Sequence, residues 1–312
     1  MNSYVLGIDI GGTKTAAGLV APDGSVLQAG AVPTPASQGA QAILQAAAGL
    51  AESLLLDGLP AGGQVRAAGV GAPGLIEYPG GRVLFAGQHV PGWGGTEVGA
   101  YLARRLGMPV VVDNDVNALG LGEARFGAGR GLAHILFVAA GTGIGGAILL
   151  NGNLWRGCTF SAGEFGHLLV DWSGGRMCNC GLPGHLEAYA AGPAIAARYC
   201  ELAGETGALD LKEVARRAAQ ADVHARQAIA EGGAILGKTL AGLLNAIDPQ
   251  ALIIGGGVTA LGETWWQAVL AAIRANPLPG PARVQVAPAR LGAQAGLVGA
   301  AALAYAGLEE AA

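Results

Sequence analysis

Apolar residues in this chain come in short runs that stop at glycine. Residues 4–10 form such a run, and it ends at Gly11-Gly12. A brief continuous apolar stretch bounded by a turn signal reads as a buried strand. A second run at 15–20 and a third near 26–32 flank Asp23-Gly24, a hairpin pair. Residues 40–56 change to helical spacing. Residues 67–71 read as a strand stopping at Ala72-Pro73-Gly74, and 96–106 as a helix capped by Thr96. A strand over 108–114 and a helix over 116–126 follow. Strands alternating with helices predict an α/β fold with a largely parallel sheet.

The pattern then restarts. Residues 135–140 form a strand, 141–146 a glycine turn and 147–150 a returning strand. GIDIGGTKTAAGLV at 7–20 and FVAAGTGIGGAILL at 137–150 are alike, which implies an internal duplication. A long helix over 225–247 ends at Asp248-Pro249. A strand over 251–254 enters Gly255-Gly256-Gly257, and a helix at about 263–274, a strand at 284–287 and a helix from about Ala293 complete the chain. No linker divides the halves. The boundary is expected at the 114–117 strand end: a smaller lobe over 1–114, with helix 293–312 packing back on it, and a larger lobe over 115–292.

Composition removes several classes. The formal net charge is −4, so the basic footprint of a nucleic-acid binder is missing. Mean hydropathy is +0.43, yet the longest charge-free stretch, 131–155, has glycines at its centre and asparagines after them. It reads as two buried strands rather than a membrane span. The four cysteines do not form a disulfide framework in this reading, and the first residues lack the basic start and long apolar run of a signal peptide. A cytoplasmic protein is expected.

Three glycine clusters follow three strands: Gly11-Gly12-Thr13-Lys14, Gly141-Thr142-Gly143 and Gly255-Gly256-Gly257. Glycine lets backbone N–H groups approach phosphate oxygens without a Cβ in the way. None of the three fits a P-loop or a Rossmann fingerprint. Together they predict a nucleotide held between two lobes. Asp9, beside the first cluster, is placed to orient Mg²⁺ or its waters near a transferring phosphate. Lys14 either neutralises phosphate charge or is a solvated turn lysine. Asn114-Asp115, with Asn117 following, lies at the carboxyl end of a strand, where α/β proteins bind ligands. Asp115 either accepts a proton from a substrate hydroxyl or caps the helix that follows.

The segment 163–187 is the densest in chemistry. Ten residues separate His167 from Cys178, one separates Cys178 from Cys180, and four separate Cys180 from His185. Two thiolates and two imidazoles are a complete tetrahedral set for Zn²⁺, with no position left for a catalytic water, so the metal is expected to be structural. Glu164 and Glu187 ride on the same scaffold. His134 and His224 have no such context and are expected to be structural or solvated.

These motifs, in this order and across nearly the whole chain, resemble the ROK family of bacterial sugar kinases, above all its glucokinases. DIGGTK at 9–14 and AGTGIGG at 140–146 resemble the family's phosphate loops, and GGGV at 255–258 its nucleoside loop. GAPG at 71–74 and NDVNA at 114–118 resemble its sugar-site segments, and GEFGH with CNCGLPGHLE its zinc signature. The resemblance implies an actin-like (ribonuclease H-like) fold with ATP and sugar in the cleft between two lobes. It implies Asp115 as general base for the sugar 6-hydroxyl, and Gly71, His89, Asn114, Glu164, His167 and Glu187 as further sugar contacts. His167 would ligate zinc through its other ring nitrogen. Asp9, the three glycine clusters and their hydroxyls would hold MgATP. The assembly implied is a homodimer or homotetramer.

The chain departs from the family pattern at three positions. His185 stands where the family usually has cysteine, His89 where an asparagine contacts the sugar, and Ala191 where a serine follows the last zinc ligand. Glucose to glucose 6-phosphate is the leading reaction. Phosphorylation of N-acetylglucosamine, N-acetylmannosamine, fructose or mannose ranks second. A sugar-responsive transcriptional regulator ranks lower, since DIGGTK begins at residue 9 and leaves no room before it for a helix-turn-helix. An actin-like filament or chaperone ATPase ranks last, because it gives the zinc segment nothing to do.

Overall fold

A computed structural model describes residues 3–56, 63–86, 90–276 and 278–311. The elements in chain order are β1 (Ser3–Ile10), β2 (Lys14–Val20), β3 (Val26–Pro33), α1 (Ala40–Leu56), β4 (Gln64–Ala72), β5 (Leu75–Ile76), β6 (Val83–Phe85), α2 (Val98–Leu106), β7 (Val110–Asn114) and α3 (Asp115–Phe126). Then come β8 (Ile135–Ala140), β9 (Ile144–Leu150), β10 (Asn153–Leu154), α4 (Glu187–Ala190), α5 (Gly192–Ala203), α6 (Leu211–Ala219), α7 (Val223–Ile247), β11 (Ala251–Gly255), α8 (Glu263–Ala275), β12 (Gln285–Pro288) and α9 (Ala295–Glu310). The chain forms two compact units. One comprises Met1–Ala133, Ala147–Ala162 and Ala289–Ala312; the other comprises His134–Gly146 and Gly163–Pro288.

The first unit is built on a five-stranded sheet of order β3-β2-β1-β4-β7. β1 is antiparallel to β2 and parallel to β4, and β4 is parallel to β7. Alternate residues of β1 serve two cores. Leu6, Ile8 and Ile10 pack with Ile43, Leu44, Ala47 and Ala51 of α1. On the opposite face Val5 joins Val20, Ala67, Ala301, Ala304 and Tyr305. Burial on both faces explains why β1 reads as a continuous apolar run.

The second face has a bare floor. Gly7 pairs with Gly18 on one side and with Gly69 on the other, so three glycines form a row across the strands. Helix α9 lies directly over that row. A Cβ built on Gly7 would overlap the Leu297 carbonyl, and one on Gly69 would overlap the Ala300 carbonyl. Helix α3 meets α9 in the same way: a Cβ on Gly122 would stand 2.8 Å from the Gly299 Cα.

The second sheet has the order β10-β9-β8-β11-β12. β11 is parallel to both β8 and β12, and β9 is antiparallel to β10. This repeats the topology of the first sheet, as the likeness of 7–20 and 137–150 predicts. In the second unit α7 and α8 pack together, and Gly233 lets the Trp265 carbonyl come within 2.9 Å of where a Cβ would be. Asp222 caps α7 by accepting from His224 N and Ala225 N, and Asp248 ends it in the left-handed region at φ 51°.

Several boundaries differ from the sequence reading. Helix α2 starts at Val98, and Thr96 does not cap it: the Thr96 hydroxyl turns back to the Gly92 carbonyl at 3.4 Å. The second glycine turn is shorter than 141–146, because β9 begins at Ile144. Gly146 is a strand residue whose missing side chain leaves room for the Phe165 ring. Among the described residues no helix is long and apolar enough to cross a membrane.

The glycine floor gives a direct test. Gly69→Ala should cost about 3 kcal/mol, as overpacking against backbone does. Gly49→Ala, on the exposed face of α1 with open space around it, should gain about 0.5–1 kcal/mol. Denaturant melts of the two variants check this. A Gly69→Ala variant as stable as the wild type would refute the close seat of α9.

Candidate active site

The strand register gathers the first set of polar groups. Asp9 of β1 pairs with Gly71 of β4, and Gly71 pairs with Asp113 of β7. These three positions lie in one row at the carboxyl end of a parallel sheet, where ligands bind in such folds. Asp9 is mostly buried. Burial holds its carboxyl above the usual range, and the nearby Lys14 charge pulls it partly back. Gly296, at the start of α9, fits against that carboxylate only because it has no side chain. Asp9, Lys14, Gly30 and Gly296 line a cavity of about 310 Å³. The turn from Gly11 to Lys14 is braced by Gly11 N donating to Lys14 O at 3.0 Å and by the Thr34 hydroxyl donating to Gly11 O at 2.7 Å.

The β7–α3 turn is fixed by its own side chains. Asn114 is the N-cap: its Oδ1 accepts from Val116 N at 2.8 Å and Asn117 N at 3.2 Å. Its Nδ2 donates to Gly74 O at 3.1 Å. The capping role offered as an alternative for Asp115 therefore belongs to Asn114. Asp115 is the first residue of α3, and its Oδ1 accepts from Val116 N at 2.9 Å. A Cβ on Gly71 would touch the Asp115 Cα at 3.4 Å, so glycine there leaves Asp115 uncrowded. Trp93, fully buried, donates its indole N–H to Pro73 O at 2.9 Å and holds the 72–74 segment. His89 lies outside the described residues.

Two residues of this turn's support escaped the sequence reading. Asp113 is 2% exposed. Its Oδ1 accepts from Asn114 N at 2.7 Å and Asn117 Nδ2 at 2.8 Å, and its Oδ2 from Arg156 Nε at 2.6 Å. One signal was available: Arg156 is the only Asp, Glu, Lys or Arg within 131–163.

The second unit carries the metal-type cluster. Two isolated antiparallel bridges, Leu169↔His185 and Met177↔Pro183, shape the loop into a narrow hairpin. Gly181 and Gly184 turn it with φ of 88° and 79°, values side chains rarely adopt. The ligand atoms of His167, Cys178, Cys180 and His185 all lie within 4.8 Å of one another. His167 Nδ1 is 3.7 Å from Cys178 Sγ, and His185 Nδ1 is 3.2 Å from Cys180 Sγ. Tetrahedral zinc with ordinary bond lengths needs donor separations of roughly 3.3–3.8 Å; these two pairs lie near that range, and two sulfurs with two imidazoles suit the chemistry of that ion. Burial pushes the Cys178 thiol up to about 11, with the charges of Glu187 and Cys180 adding to it. A cation is what would make that sulfur a thiolate near neutral pH.

Both acids touch this cluster. His167 Nε2, the nitrogen turned away from Cys178, is 3.6 Å from Glu164 Oε2. Burial raises the Glu164 carboxyl, His167 opposes that, and Glu187 adds to it. Glu187 Oε2 accepts from Ile144 N at 3.0 Å, which joins the loop to the second glycine turn. That turn closes by Gly141 N donating to Gly143 O at 2.9 Å. The third cluster adjoins it, since Gly256, at φ 91°, sits with its Cα against the Ala140 backbone. Gly257 opens a short 3₁₀ turn, Gly257–Leu261. Thr142, Glu187, Ala191 and Pro193 line a cavity of about 290 Å³. Ala191 precedes α5 and supplies no side-chain cap. His134 and His224 take part in strand-entry and helix-entry backbone bonds, His134 N to Gln250 and His224 N to Asp222.

Comparison with known proteins places this arrangement. The model of the ROK family matches residues 5–306. A glucokinase of Streptomyces coelicolor is 35% identical, over 96% of this chain and 96% of its own. The crystal structure of a ROK hexokinase from Thermus thermophilus superposes with a TM-score of 0.86 at 36% identity, covering 98% of this chain and 99% of that one. A ROK family glucokinase from Streptomyces griseus, solved in complex with glucose and AMPPNP, gives 0.82 at 35% identity over 97% and 99%. The fold is therefore the actin-like α/β fold of these kinases, and the chain belongs to the ROK family.

Proposed function

We propose that this protein transfers the γ-phosphoryl group of ATP to the 6-hydroxyl of a hexose, glucose in the first place. The observation that carries the reading is the match, over nearly the full length of both chains, to a glucokinase whose solved complex holds glucose and AMPPNP. The local chemistry supports it. Asp115 stands at the first turn of α3, next to a glycine that leaves it uncrowded. It takes the proton from the 6-hydroxyl as that oxygen attacks the γ-phosphorus and the bond to the bridging oxygen breaks, releasing ADP. Most of the rate comes from positioning and charge stabilisation, with the base adding a smaller share.

The remaining residues orient the reactants. Asn114 has one amide proton committed to Gly74 O and keeps the second for a sugar hydroxyl. Glu164, His167 and Glu187 accept or donate to the other hydroxyls, with Gly71 and His89 completing the sugar contacts. The backbone amides of Gly11, Gly12, Thr13 and Lys14, and those of Gly141, Thr142 and Gly143, receive phosphate oxygens. Gly255, Gly256 and Gly257 receive the nucleoside. Mg²⁺, held near Asp9, would neutralise phosphate charge. His167, Cys178, Cys180 and His185 would hold a structural Zn²⁺, which supplies rigidity to the loop that bears Glu164 and Glu187. The reading includes a cytoplasmic setting and a homodimer or homotetramer.

The deciding experiment measures ADP release from MgATP with glucose, mannose, fructose, N-acetylglucosamine and N-acetylmannosamine. Glucose should give the highest kcat/KM. Preference for another of these sugars would move the substrate and keep the chemistry, and no sugar-stimulated release would reject the kinase. Asp115→Asn should retain sugar binding by calorimetry and lose about 10²–10⁴-fold in kcat; near-normal turnover would remove Asp115 as the base. Metal analysis of the purified protein should find about one zinc per chain, lost in Cys178→Ala. A protein that is active yet free of zinc would rule out the structural role.

A further inference from the structure

We propose that Arg156 is a positioning residue for phosphotransfer, which sets the turn bearing Asp115 through the buried carboxylate of Asp113. The proposal rests on the kinase reading above and adds a residue to it. Asp113 is almost wholly buried, so each of its oxygens needs a donor. Oδ1 is used by Asn114 N and Asn117 Nδ2, groups that flank Asp115 on either side in sequence. The carboxylate thus grips the turn in front of the base and behind it. Arg156 Nε supplies the charge-assisted bond to Oδ2 at 2.6 Å, and its own side chain is only 17% exposed.

Arg156 is in turn held from behind. Its guanidinium carbon lies 3.6 Å from the Tyr78 ring centroid, a stacked cation–π contact. The Tyr78 hydroxyl donates to Glu310 Oε2 at 2.5 Å, at the end of α9. Burial and that bond push the Tyr78 hydroxyl up to about 12, so it stays a donor across the working range. Glu310, Tyr78, Arg156 and Asp113 therefore form one relay of contacts ending at the turn. Without Arg156 the buried Oδ2 has lost its cation. The carboxylate then rotates toward water, which loosens its grip on Asn114 N and Asn117. Misplacing a catalytic group by about 1 Å costs on the order of 100-fold.

The test compares wild type with R156M, R156K, D113N and the double variant R156M/D113N. The readouts are kcat per hexose-binding site, KM for MgATP, and hexose Kd by calorimetry. Counting per binding site cancels any loss of folded protein. R156M and D113N should each lose about 10–100-fold in kcat while hexose Kd stays within about threefold. R156K should recover part of the loss, because a Lys charge can replace the single bond to Asp113 but not the stack on Tyr78. The double variant should be no worse than either single one, since both cut the same relay. Wild-type kcat in folded R156M, or a hexose Kd that weakens in step with kcat, would overturn the proposal. Should R156M not fold, R156K and D113N decide: an R156K impaired less than D113N supports it, and wild-type kcat in both overturns it. Turnover by the wild type tests the kinase reading separately.

Discussion

The first unit depends on contact between one helix and bare sheet backbone. Gly18, Gly7 and Gly69 line up across three strands; the backbone of α9 rests on Gly7 and Gly69, and its Leu297 side chain lies over Gly18. Close packing of this kind gains dispersion contacts along the whole helix and tolerates no added methyl group. Its reach extends to the polar groups. The same seat brings Gly296 against Asp9, Gly299 against α3, and Glu310 to the Tyr78 hydroxyl. Asp9, beside the first glycine turn, and the helix that begins at Asp115 are both packed against α9.

Polar contacts in this protein carry unequal weight. Arg216 and Arg217 both bind Glu213 on an exposed helix, and ion pairs of that kind contribute about 0–1 kcal/mol. The Asp113–Arg156 pair is of another sort: Asp113 is buried with both oxygens accepting, and losing Arg156 strands its charge. The 163–187 loop has a different economy again. Leu169, Trp172, Met177 and Leu182 point outward, so the loop has little apolar core of its own. Backbone bonds around two isolated bridges, the Tyr189 hydroxyl between Asp171 and Arg176, and the four-residue donor cluster define its shape.

Much of this was legible in the sequence because the relevant signals are local. Strands β1, β2 and β3 and helices α1, α7 and α8 announce themselves by apolar period and by glycine or proline at their ends. The Cys-x-Cys with flanking histidines was legible for the same reason, as its four donor residues fall within nineteen positions. What was missed depends on contacts distant in sequence. The N-cap of α2 went to no side chain, because the Thr96 hydroxyl found a carbonyl in the preceding turn. Helices α5 and α6 follow a segment whose glycines and polar residues mask their start. Asp113 looked like part of a strand end and Arg156 like a stray charge, and only the fold shows that they meet. The glycine row is similar: Gly7, Gly18 and Gly69 are unremarkable singly, and their purpose depends on strand register.

The position of α9 also bears on how the chain is made. The floor formed by Gly18, Gly7 and Gly69 is complete within the first part of the chain, with Val5, Val20 and Ala67 beside it. Its cover, α9, is synthesised only after the whole of the second unit. During translation at about 5–20 residues per second, that apolar sheet face waits for many seconds without its helix. The second unit, His134–Gly146 and Gly163–Pro288, finishes emerging before the first one closes. Assembly on the ribosome therefore runs against the usual N-terminal-first order, and the uncovered face is the surface a chaperone would meet on the nascent chain.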